Sequence, residues 1–252
     1  MIVVVLSYKI IMYFGNIDRR TILLILVGCV IFSLLASGQF GALLLTLPGV
    51  IIAMTFHEFA HAWMATKLGD TTPRAQGRLT LNPVAHIDPV GIILLLFAHI
   101  GWGRPVEINP NNFTSNKSKG TCEMLVSLAG PIMNFILAFI LIFVYYALLT
   151  YVSVTWKWFL IVVEIVSYAI IVNIGLGVFN LIPIPPLDGS KVFRRFMPYQ
   201  VNEWIDRNMH WIYIIFMILW VTDVLSYIVA PVINFILKWL LILAAKIFAL
   251  FV

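Results

Sequence analysis

The sequence predicts an all-α polytopic membrane protein of about six transmembrane helices, with a short membrane-embedded β or re-entrant region after the second. Three observations carry this reading. The 252 residues are 62 % hydrophobic and only 11 % charged, far from the composition of soluble globular domains. Apolar runs long enough to cross a hydrocarbon core of ~30 Å recur along the chain. The basic residues gather between those runs, so the net charge of +5 reads as a topology signal, and nucleic acid is not an expected partner. The whole chain, residues 1–252, reads as a single domain.

Taken in order, Met1 to Phe14 is apolar around Lys9 but too short to span, and reads as an interfacial helix or a strand. Asp18-Arg19-Arg20 precede the first span, Thr21 to Ser37. Its long apolar core favours a retained helix over a cleaved signal peptide. The second span, Ala42 to Thr66, leaves the membrane at Lys67. Leu68 to Pro89 is polar and broken by Gly and Pro, with strand-like alternation from Gly77 to Pro83. Val90 to Ile100 is apolar yet too short to cross as a helix. It reads as a re-entrant segment, closed by Gly101-Trp102-Gly103-Arg104-Pro105, that packs beside the site, because irregular backbone at membrane depth must be covered by protein or line a wet cavity.

The third span, Glu123 to Leu149, carries Gly130-Pro131 and Asn134 in its early turns, which permit close helix approach and aim one amide into the bundle. The fourth ends near Ile182. Pro183, Pro185 and Pro186 cannot continue it, so Asp188-Gly189 falls in an unwound corner. Lys191 to His210 is polar and basic. Trp211 to Val229 and Ala230 to Val252 are two further apolar runs, weakened as crossings by Asp223 and Lys238. The side with Arg19, Arg20, the Lys67 to Lys119 region and the Lys191 to Arg207 loop holds most of the sixteen Lys and Arg residues, which assigns it to the cytoplasm. Cys29 and Cys122 form no C-x-x-C and suggest no disulfide framework.

The chemistry centres on His57-Glu58-Phe59-Ala60-His61 in the second span. Two histidines four apart on a helix stack their rings on one face, the spacing that grips one zinc ion. Glu58, about 100° round the helix, reaches the rim, where it suits taking a proton from water. Counted back from Lys67, His61 and His57 lie roughly 9 and 15 Å deep at about 1.5 Å per residue. Three ionisable residues so close together in a membrane helix need a compensating partner, which a metal supplies. Catalytic zinc takes three protein ligands, leaving one position for water. Candidates for the third are Asp188, His86, His99 and Glu164, with Asp188 preferred because its corner lies at the cytoplasmic end of a span. His86 and His99 read better as backbone hydrogen-bonders, and Glu164 and Asp223 as paired inside the bundle.

Together, His57-Glu58-x-x-His61, Gly77 to Pro83 with Ala85 to Pro89, Ala129 to Asn134, and Asn180 to Gly189 resemble the site-2 protease family of intramembrane zinc metalloproteases. The closest likeness is to its compact prokaryotic branch without PDZ or CBS domains. The likeness runs from about Thr55 to Lys191, and Ser190 departs from it where many relatives have glycine. It implies one zinc ion per chain on His57, His61 and Asp188, with Glu58 as general base. Asn180 would hold substrate or the oxyanion, and Asn134 is a weaker carry-over that otherwise bonds helix to helix. Substrates would be membrane proteins cut within or next to a transmembrane segment, as in regulated intramembrane proteolysis. The enzyme would be a multi-pass protein of the cell membrane, embedded in the lipid bilayer with its site opening to the cytoplasm. Competing readings are a membrane metal-ion carrier, which usually shows an internal repeat not seen here, and an inert homologue that binds membrane partners.

Overall fold

The computed structural model describes Gly28, residues 40–88, Gly91, residues 103–222 and residues 224–251. The readings made for Met1 to Phe14, the first span, Cys29, His99, most of Val90 to Ile100 and Asp223 lie outside those residues. In chain order the helices are α1 (Phe40–Lys67), α2 (Thr72–Ala75), α3 (Pro83–His86), α4 (Lys119–Tyr151), α5 (Phe159–Asn180), α6 (Asp188–Arg194), α7 (Tyr199–Arg207), α8 (Met209–Val221) and α9 (Val224–Phe248), with a 3-10 turn at Pro110–Asn112 before α4. Four of them, α1, α4, α5 and α9, are long and apolar enough to cross a membrane.

The central three-helix unit is α1, α4 and α5, each packed against the other two. On α4, Ile132, Ile136, Ile140 and Val144 are exposed, while Val126, Gly130, Asn134, Ala138 and Ile142 are buried. Both stripes follow the helical spacing of four, so only the inner one, with its small and polar members, marks the bundle face. Ala138 and Ile142 join Ile170, Ile174 and Val178 of α5 and Val229 and Ala244 of α9 in the main core. The Tyr146 hydroxyl donates to the Leu241 carbonyl at 3.2 Å, tying α4 to α9.

Helix α1 ends where Gly69 adopts φ +108°, a left-handed conformation that a side chain would strain, with Thr114 packed against it. The Thr114 and Ser115 amides donate to Leu68 O at 3.1 and 3.2 Å, folding the connection back onto the helix end. The Ser118 hydroxyl then accepts from Thr121 N at 3.3 Å and caps α4.

Two expectations need correction. Residues 77–82 form turn and bend and not a strand, and the described residues contain only an isolated antiparallel bridge, Ile87 to Gly103. Arg78 instead donates to the Ala85 carbonyl, closing a compact loop that leaves no edge to pair. The final apolar stretch is also divided differently. Met209–Val221 is too short to cross, and Val224–Phe248 is one helix running straight through the expected break at 229–230, carrying Pro231 inside its first turns. Phe216 of α8 and Leu225 of α9 both bury against Leu187. Phe248, in contrast, meets Tyr146 and Tyr151 at the far end of α4, with ring centroids 5.8 and 6.3 Å away. Helix α8 therefore stays at the proline-corner end, and α9 makes the passage.

Candidate metal centre

His57 and His61 come from one face of α1, and their rings meet edge to face with centroids 4.6 Å apart. Asp188 opens α6, delivered by the Pro183 to Leu187 corner, where the chain cannot continue α5. The Asp188 Oδ2 atom lies 3.1 Å from Nε2 of each histidine, and the two Nε2 atoms are 3.0 Å apart. Other ring atoms fix the protonation. His57 Nδ1 bonds Asn134 Oδ1 at 2.7 Å, and His61 Nδ1 bonds the Val126 carbonyl at 2.7 Å. Both partners only accept, so both Nδ1 atoms must donate, and each ring in its neutral form presents a lone pair at Nε2. Three acceptors thus face one another without a donor, a repulsive arrangement unless a cation sits among them.

The triangle also has the right size. Ligands about 2.0 Å from a tetrahedral zinc are about 3.3 Å from each other, close to the distances found here. His57, His61 and Asp188 form the group of potential metal ligands among the described residues. Gly130 of α4 makes the room: a Cβ there would fall 2.6 Å from His57 Cε1 and 2.7 Å from His57 Nε2. Gly189 likewise leaves no space for a side chain, since a Cβ would fall 2.6 Å from the Ile182 carbonyl oxygen.

A relative in Bacillus subtilis described as the putative zinc metalloprotease YwhC is 39 % identical over 186 residues, which cover 73 % of this chain and 84 % of that protein. The model of peptidase family M50 matches residues 150–222. The chain belongs to peptidase family M50. These are the site-2 proteases, so the M50 chain is an intramembrane metalloprotease. A Mycolicibacterium smegmatis relative described as the putative zinc metalloprotease Rip2 is 28 % identical over 193 residues, covering 74 % of this chain and 70 % of that one. A Mycobacterium tuberculosis relative with the same description is 30 % identical over 154 residues, covering 59 % and 56 %. No solved structure matches the chain.

The other candidate residues of the M50 chain divide clearly. Glu58 stands one residue from His57 and its Oε2 accepts from Val106 N at 3.0 Å. Asn180 donates its side-chain amide to Leu176 O at 3.0 Å within α5. His86 is buried away from the triad and its Nε2 bonds Thr80 O at 2.7 Å, as a backbone-bonding histidine should. Glu164 is exposed on the outer side of α5 and makes no ion pair among the described residues, against the expectation of a partner inside the bundle. The reason is its place on the face of α5 opposite Ala169, Asn173 and Gly177.

Sequence reasoning also missed two supports. Asn134, read as a helix-to-helix bonder, does that and orients His57: its Nδ2 donates to Ala53 O at 3.0 Å and to Asn173 Oδ1 at 3.1 Å. Asn173 itself is anchored on Ala169 O at 2.8 Å. Asn173 was legible as a buried amide in an apolar span, since such residues rarely face lipid. The Val126 carbonyl was not legible, because any residue supplies one.

Proposed function

We propose that this M50 enzyme holds one zinc ion on His57, His61 and Asp188 and hydrolyses peptide bonds within or next to transmembrane segments of other membrane proteins. The convergence of three acceptors with no donor between them carries the reading. Zinc, when bound there, supplies a Lewis acid and brings the pKa of water down toward about 7.

Glu58 takes the proton of the attacking water on a carboxylate oxygen and passes it to the departing amide nitrogen. Asn180 releases Leu176 O and donates its amide to the tetrahedral oxyanion. Asn134 and the Val126 carbonyl keep both imidazoles in the tautomer that frees Nε2. The backbone between Gly103 and Asn109 offers groups with which an unwound substrate pairs by strand addition. The Lys67 end and the Asp188 corner face the cytoplasm, because most of the Lys and Arg residues lie on their side.

The test is co-expression with a panel of tagged single-span membrane proteins. The native chain should give a shortened product that a zinc chelator suppresses, and Glu58→Ala and Asp188→Ala should give none. A product that persists in Glu58→Ala removes the assigned base.

A further inference from the structure

The contact between Glu58 and Val106 is not isolated. Val106 lies in a segment without regular secondary structure, residues 104–109, that is held at both ends. At one end Arg104 N donates to His86 O at 2.8 Å. At the other, Asn109 N donates to Asp70 Oδ2 at 2.8 Å.

Asp70 is wholly buried just past the end of α1. Its other oxygen, Oδ1, collects Thr72 N at 3.0 Å, Thr72 Oγ1 at 2.6 Å and Asn112 Nδ2 at 3.2 Å. No Lys or Arg pairs with it among the described residues. A buried carboxylate answered only by neutral donors is a rigid anchor, because every donor is fixed by the charge it satisfies. Burial raises the Asp70 carboxyl, and the donors from Thr72, Asn109 and Asn112 more than reverse that. Ile108 packs on the cluster of Ala65, Leu68, Cys122 and Val126. That contact holds a side chain but does not fix which way the Val106 amide points.

We infer that Asp70 is a positioning residue for Glu58: by fixing Asn109 it keeps the Val106 N–H on Glu58 Oε2 and leaves the second carboxylate oxygen to the attacking water. Asp70 never meets substrate and acts only through the backbone of residues 104–109. The inference rests on Glu58 being the general base.

Two measurements on the full chain in detergent test it. Hydrogen exchange reads the mechanical link without any substrate. Asp70→Asn and Glu58→Ala should each speed exchange at Val106 by about tenfold, with the buried turns of α4 unchanged. Unaltered exchange at Val106 overturns the inference. Cleavage of a tagged single-span protein that the native chain cuts reads the consequence. Asp70→Asn should lower kcat by about tenfold to a hundredfold and move KM by less than about threefold.

Val106→Pro removes the same N–H, so Asp70→Asn added to it should cost little more, whereas full additivity overturns the inference. If Asp70→Asn does not accumulate, Asn112→Ala removes a single donor and is carried through the same cycle, with the same opposing outcomes. Should Glu58→Ala still cleave, the base reading fails. Should it be inactive while Asp70→Asn and Val106→Pro add independently, only the positioning role fails.

Discussion

Asn134 Oδ1 stands 2.7 Å from His57 Nδ1, joining two helices through the ring atom that faces away from the metal triangle. The same amide donates to Ala53 O and to Asn173, so its orientation is decided before any ion arrives. Asn134→Ala should therefore leave the chain folded and inserted but weaken zinc about tenfold to a hundredfold. Competition against a fluorescent chelator measures this, and an unchanged affinity would contradict the orienting role.

Gly130 is the place where the bundle yields space to the imidazoles. Gly130→Ala should overpack the site by about 1–3 kcal/mol, which appears as zinc affinity lowered by about tenfold to a hundredfold. Gly175→Ala is the control, since a Cβ there meets only Ile233 at an ordinary 3.6 Å. Equal zinc binding in the two variants would show that the imidazoles can shift freely.

Asp188 and Glu58 should separate binding from chemistry. Asp188→Ala removes one of three ligand atoms and should lose stoichiometric zinc together with cleavage. Glu58→Ala should keep zinc and lose about a thousandfold or more in rate, the share general-base transfer commonly supplies with its water positioning. Metal analysis of the purified variants, set beside product yield, distinguishes the two.

Acid should disclose Asp70. Its folded carboxyl is held below the ordinary value of 3.8, so its contribution is fully present above that value and is lost as pH falls through the lower folded value. Replacing it with Asn should cost about 2 kcal/mol at pH 7, the scale of hydrogen bonds to a charged group. The gap to the native chain should then close in strong acid. Thermal unfolding in detergent at neutral and acid pH reads the difference, and a gap independent of pH would contradict the assignment.

The site was legible where chemistry is rare for its surroundings. His57, Glu58 and His61 stand out in an apolar span, and Asp188 in a proline corner, because charge at such depth requires a partner. The long helices were legible from hydropathy for the same reason. Helix boundaries inside continuous apolar sequence were not. From Trp211 onward α8 and α9 are largely apolar, and α9 runs unbroken through Pro231 and Lys238, so neither a proline nor an isolated polar residue marks by itself that the break falls near Thr222 and not at Ala230. Residues 77–82 misled because alternation fits a strand as well as a tight loop closed by Arg78. The Asp70 anchor was invisible because its partners, Thr72, Asn109 and Asn112, are ordinary loop residues until the fold collects them.

Leu187, the neighbour of Asp188, is buried beneath Phe216 and Leu225, residues that come late in the chain. During synthesis both imidazoles enter the bilayer well before the segment that braces the aspartate corner leaves the ribosome. A chain cut short before Phe216 would keep both histidines and Asp188 but lose the apolar cover over Leu187, so the aspartate corner would be held less firmly.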